Sequence, residues 1–161
     1  MMPNGYFFDT SFFAEGMKRY PPGLKTFSPI WTEVDHLIDN GRGFCCREVL
    51  EELEQKAGDD AHAFVKERKE KLILAPSEAE EKVIVALVSE FADSGWSLAT
   101  TKKDNADPWV VAFAKTKELV AVTAEFRRSN GRLIIPDACE YIGAKCSSLL
   151  EFIAAYENNS L

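Results

Sequence analysis

Histidine is nearly missing from this chain: His36 and His62 are the only two in 161 residues. Cysteine is also scarce, and Cys45, Cys46, Cys139 and Cys146 form no CxxC pair. A Cys/His zinc centre therefore lacks donors at ligand spacing. Adjacent Cys45 and Cys46 cannot easily bridge, so reduced thiols in a cytoplasmic protein are expected. No apolar run reaches about 18 residues, which argues against a membrane span. The opening MMPNGYFFDTSFF has neither a basic leader nor a cleavage pattern, so no signal peptide is expected. The seven prolines and nine glycines are scattered, and no repeat or low-complexity run marks a linker. One domain over residues 1–161 is the expectation.

Positive charge is in deficit as well, with a net charge of −7. An average field of that sign repels polyphosphate, which counts against a pure nucleic-acid binder. It leaves room for an enzyme whose acidic site carries metal, because the ion inverts the local field. It also leaves room for a basic partner.

What is present is an alternation of strand and helix signals. Tyr6-Phe7-Phe8 reads as a buried strand that stops at Asp9-Thr10-Ser11, with Thr10 or Ser11 capping a short helix through Phe12 and Phe13. Pro21-Pro22-Gly23 marks a loop. Ser28-Pro29 is expected to open a helix as N-cap and first residue, and Asn40-Gly41 to end it. Gly43-Phe44-Cys45 suggests a short strand, followed by a helix over about Arg47–Lys56 with Val49, Leu50 and Leu53 inward. Gly58-Asp59-Asp60 breaks it, and a further helix runs through Phe64 and Val65. Ser77 and Glu80 have capping-box spacing before a helix carrying Val83, Ile84, Leu87, Val88 and Phe91. Asp107-Pro108 is read as cap and first residue of a buried helix.

Leu119–Thr123 is continuous and β-branched, as an interior parallel strand should be. Leu133-Ile134-Ile135 reads as another strand, and helices finish the chain with Leu149, Leu150, Phe152 and Ile153 as an apolar stripe. The alternation predicts an α/β fold with a central parallel sheet of about four to five strands.

Three acidic positions stand where such a sheet places function, outside the carboxyl ends of its strands, and a fourth comes from the helix Arg47–Lys56. Asp9 ends the first strand, Glu125 follows Leu119–Thr123, and Asp107 starts a helix. Glu48 and Glu52, spaced i and i+4, share one helix face. Singly, each has an ordinary reading as a turn, cap or solvated residue. The ordered combination is far more specific.

The segments YFFDTSFF, REVLEELEQ, NADPWVVAFAK and LVAVTAEF, in that order, resemble the PIN domain. SPIWTEVDHLIDNG and IIPDACEYIGAKC resemble in particular a poorly characterised PIN-like branch, the DUF4411 group. The resemblance implies a PIN-like three-layer α/β/α fold and metal-dependent ribonuclease activity. It relates the chain to VapC-type toxin ribonucleases, with an antitoxin protein and a homodimer as implied partners. Carried over residue by residue, the acids are Asp9, Glu52 of Glu52-Leu53, Asp107 and Glu125. Glu125 departs from the family's usual aspartate by one methylene. Glu48 is a rival or supplement to Glu52, and Asp104 is a candidate beside Asp107.

Phosphodiester hydrolysis needs added negative charge stabilised and a water activated. Mg²⁺ or Mn²⁺ supplies both and prefers carboxylate oxygens. Ser11 or Thr123 is read as positioning a water or a phosphate. Two histidines and no nucleophile elbow give a Ser–His–Asp mechanism little support. Lys102-Lys103 and Arg127-Arg128 flank the acidic positions in sequence and are candidates for holding phosphate. Phe12, Phe13 and Trp31 are expected to be exposed enough for a dimer contact. Two other readings remain: a PIN-like scaffold that binds protein without catalysis, and a phosphohydrolase with Asp9 as covalent nucleophile. The latter normally carries a second aspartate where Ser11 stands.

Overall fold

The computed structural model describes residues 2–56, 59–94, 96, 106–125 and 133–161. Asp104, Lys102-Lys103, Arg127-Arg128 and Gly58 lie outside the described residues. In chain order the elements are β1 (Tyr6–Phe8), α1 (Thr10–Arg19), α2 (Ser28–Asp39), β2 (Gly43–Phe44), α3 (Arg47–Lys56) and α4 (Asp59–Glu67). Next come α5 (Lys69–Leu72), α6 (Glu78–Glu90), a single 3₁₀ turn (Ala92–Ser94), α7 (Asp107–Thr116), β3 (Val120–Thr123), α8 (Ile135–Ile142), β4 (Lys145–Ser148) and α9 (Leu149–Glu157).

The strands form one sheet in the order β2-β1-β3-β4, with every pairing parallel. Parallel neighbours require crossovers, which the helices supply, and covering both faces gives three α/β/α layers. Side chains of β1 alternate between those faces. Phe7 stacks on Phe113 of α7 at 4.9 Å between ring centres. Tyr6 and Phe8 point the other way, into rings from α1 and α9: Phe8 lies 4.4 Å from Phe12, and Tyr6 meets Phe152 edge-on at 5.2 Å. Trp31 of α2 and Phe64 of α4 close this aromatic layer. No helix among the described residues is long and apolar enough to cross a membrane.

Several expectations are corrected. Leu133-Ile134-Ile135 is no strand: Ile134 caps α8 and Ile135 is its first residue. Pro136 fits there because the first helical turn needs no N–H from it. The fourth strand is instead Lys145–Ser148, a polar edge segment without apolar alternation. Asp107 is the first residue of α7, with Ala106 as cap. Phe27 likewise precedes α2, placing Ser28 inside the helix. Asp9, not Thr10 or Ser11, caps α1, its side chain accepting from the Ser11 amide. Ser77 caps α6 by position, but its hydroxyl donates to the Glu80 carboxylate at 2.7 Å instead of accepting a backbone bond. Phe12, Phe13 and Trp31 are buried, so they offer no dimer face, whereas Leu150 points outward.

Candidate metal centre

The acidic residues gather because the parallel sheet gathers helix starts. Asp9 follows β1 and caps α1, while its own amide donates to Val122 O of β3 at 3.0 Å. Asp107 opens α7. Glu125 lies two residues past β3, and its Oε2 accepts from the amide of Ile135, the first residue of α8, at 3.0 Å. Three helix N-termini therefore meet at the carboxyl edge, and their unsatisfied N–H groups favour negative charge there.

One carboxylate oxygen from each of Asp9, Asp107 and Glu125 lies within 4.8 Å of the others. Asp9 and Asp107 are buried, and Glu125 is half-buried. At an effective dielectric constant of about 20, two full charges at this separation repel by roughly 3 kcal/mol.

The two oxygens of Asp9 are treated unequally. Oδ2 accepts from the Ser11 hydroxyl at 2.6 Å and the Thr123 hydroxyl at 3.0 Å. Oδ1 is buried and has no hydrogen-bond partner among the described residues. Burial pushes the Asp9 carboxyl above its ordinary range, against bonds from Ser11, Thr123 and the Thr10 and Ser11 amides that pull it down. A buried acceptor left bare is costly unless something outside the chain satisfies it. Hard oxygen donors, three converging carboxylates and one orphaned oxygen fit a divalent cation such as Mg²⁺.

The hydroxyls of Ser11 and Thr123, candidates for positioning a water or a phosphate, both hold Asp9 Oδ2. Ser11 Oγ also accepts from the Ala124 amide at 2.8 Å, and Thr123 Oγ1 accepts from the Glu125 amide at 3.1 Å. These bonds tie the tip of β1 to the strand-end segment that carries Glu125.

Glu48 and Glu52 diverge despite sharing a helix face. Glu48 is half-buried and lies 3.9 Å from Arg47. Glu52 is buried, with Oε2 accepting from Thr10 Oγ1 at 2.7 Å and Oε1 from the Ala106 amide at 3.0 Å. It is absent from the group of three. Thr10, a cap candidate by sequence, belongs to the site through its bond to Glu52, and its place directly after Asp9 is the signal for that.

A cleft of about 400 Å³ opens beside Thr123 and Glu125, with Cys139, Cys146, Ser147 and Glu151 also in its wall. Cys139 is held above the ordinary thiol range by its bond to Cys146 and by burial, and Cys146 is lowered by the same bond.

No curated protein matches the chain. Residues 6–159 match the family described as Domain of unknown function (DUF4411), which spans both the sheet and all three converging acids. On that match the chain belongs to the DUF4411 family.

Proposed function

We propose that this protein is a PIN-like, metal-dependent ribonuclease that hydrolyses phosphodiesters with Mg²⁺ or Mn²⁺. The observation that carries the reading is the convergence of Asp9, Asp107 and Glu125, with Asp9 Oδ1 buried and bare. These three residues would hold the ion. When bound, a hard divalent cation supplies charge neutralisation at the scissile phosphate and eases deprotonation of the attacking water.

The chain's own groups prepare that chemistry. Ser11 and Thr123 fix Asp9 Oδ2, leaving Oδ1 as the oxygen available to a cation. The Ile135 amide fixes one oxygen of Glu125, so its longer side chain is held in place. The N-termini of α7 and α8 favour an anionic phosphate beside the carboxylates. The toxin of a toxin–antitoxin pair is the biological role this reading suits. A basic antitoxin segment would complement both the acidic edge and the net charge of −7.

The test is Mn²⁺-dependent cleavage of a mixed cellular RNA pool by the wild type and Asp9→Asn. Cleavage by the wild type alone, abolished by a chelator, is expected. Equal cleavage by both would move the chemistry away from Asp9. Silence from both, across the tRNA pool as well, would favour a protein-binding scaffold.

A further inference from the structure

Four acids resembling a ligand set do not sit alike. Three approach one another, while Glu52 spends both oxygens on protein donors. Those donors are significant by position. Thr10 directly follows Asp9, and Ala106 directly precedes Asp107. A single buried carboxylate from α3 therefore grips the neighbours of two acids that are far apart in the chain.

We infer that Glu52 is a positioning residue that clamps the N-termini of α1 and α7 together and so sets the separation of Asp9 from Asp107. Its consequence for the ion rests on the metal-dependent reading above; the clamp itself does not. The bonds are of the strong kind, a hydroxyl and an amide donating to a carboxylate in a site closed to water. Both donors lie at helix starts, where a negative charge is favoured. Without the clamp, Thr10 Oγ1 and the Ala106 amide would lose a buried partner, and the two helix starts would be free to part.

Ligand and clamp make opposite predictions for conservative replacement. Glu52→Gln keeps an acceptor for the Ala106 amide and a nitrogen that can donate to Thr10 Oγ1. It is a poor replacement for an anionic ligand. Thr10→Val removes only the hydroxyl donor and leaves every acid in place.

The experiment is Mn²⁺ titration by calorimetry of the wild type, Thr10→Val, Glu52→Gln, Glu52→Ala and Asp107→Asn, with chemical denaturation of each metal-free protein. Glu52→Ala is expected to weaken Mn²⁺ binding by about 10–100-fold, the usual loss when a group that orients ligands is removed. Glu52→Gln should recover most of that loss, Thr10→Val should show part of it, and Asp107→Asn should not bind. If Glu52→Gln is as deficient as Asp107→Asn while Thr10→Val binds normally, Glu52 is a ligand and the clamp is wrong.

A wild type that binds no Mn²⁺ would defeat the metal reading, and the clamp would then be judged from denaturation. Thr10→Val and Glu52→Ala should each destabilise, and the double variant should cost little more than Glu52→Ala alone. Strictly additive losses would overturn the clamp. Should Glu52→Ala fail to fold, the same cycle run with Thr10→Val and Glu52→Gln decides.

Discussion

The two edges of the sheet handle charge in opposite ways. At the carboxyl edge, helix N-termini meet three carboxylates that repel one another, and one buried oxygen has no partner. At the amino edge, helix C-termini meet lysines. Lys115 Nζ donates to the carbonyl of Gly143, the left-handed cap of α8, at 3.5 Å, and Lys117 Nζ lies 3.5 Å from the fully buried Glu80. A cleft of about 270 Å³ sits there too, walled by Lys115, Glu118, Leu119 and Lys145. Both edges obey the same helix-dipole preference. Among the described residues, at the amino edge Lys117 faces Glu80, whose Oε1 accepts no hydrogen bond, whereas at the carboxyl edge three carboxylates converge on one another.

That contrast can be broken most forcefully at Asp107. Asp107→Asn should raise the melting temperature of the metal-free protein by several degrees, since it relieves repulsion of roughly 3 kcal/mol and about 1 kcal/mol moves a domain of this size by 2–4 °C. It should also erase the stabilisation that Mn²⁺ gives the wild type. Calorimetric melting with and without Mn²⁺ checks both.

At the opposite edge, Lys117→Met should destabilise by about 2 kcal/mol, because Glu80 stays buried without its cation. Its Mn²⁺ response should match the wild type in denaturant titrations. A changed response would mean the edges are coupled.

The next effect is in pH. The Asp9 carboxyl is raised by burial, so the folded protein holds that proton more tightly than the unfolded chain does. Metal-free stability should therefore fall as pH climbs from about 4 through the raised value, by at most about 1.4 kcal/mol per pH unit. Denaturation across that window should show the slope in the wild type and not in Asp9→Asn. Saturating Mn²⁺ should reverse it, since the ion requires the ionised form.

The smallest effect sharpens the comparison. Gly143 has φ +72°, so Gly143→Ala should cost about 1 kcal/mol through backbone strain alone. The metal response should be unaltered.

Much of this arrangement was legible from residue order. Tyr6-Phe7-Phe8 and Leu119–Thr123 announce buried strands because continuous apolar runs suit a sheet covered on both faces. Asp9, Asp107 and Glu125 could be placed at one edge because strand ends and helix starts share that edge in any parallel sheet. The missed strand Lys145–Ser148 has no such run, since it lies at the sheet border and is only half-buried. Ile134-Ile135 looked like a strand because two β-branched residues resemble one until the following proline is read as a helix start. Helical periodicity put Glu48 and Glu52 on one face, but only tertiary packing separates a carboxylate beside Arg47 from one enclosed by Thr10 and Ala106. The unequal use of Asp9's two oxygens depends on a local hydroxyl from Ser11 and on one from Thr123 that arrives across 114 residues of sequence, and no local pattern encodes the second.

The place of β1 in the sheet has a consequence during synthesis. Tyr6–Phe8 lies between β2 and β3, and its pairing with Val120–Val122 waits until β3, far later in the chain, has left the ribosome. Phe7, Phe8 and Phe12 meanwhile lack Phe113 and Phe152, which pack against them and are made much later. Nascent chains of this protein thus carry these aromatic rings without their later partners until α7 and α9 are made, and chaperone capture of that segment is the expected consequence.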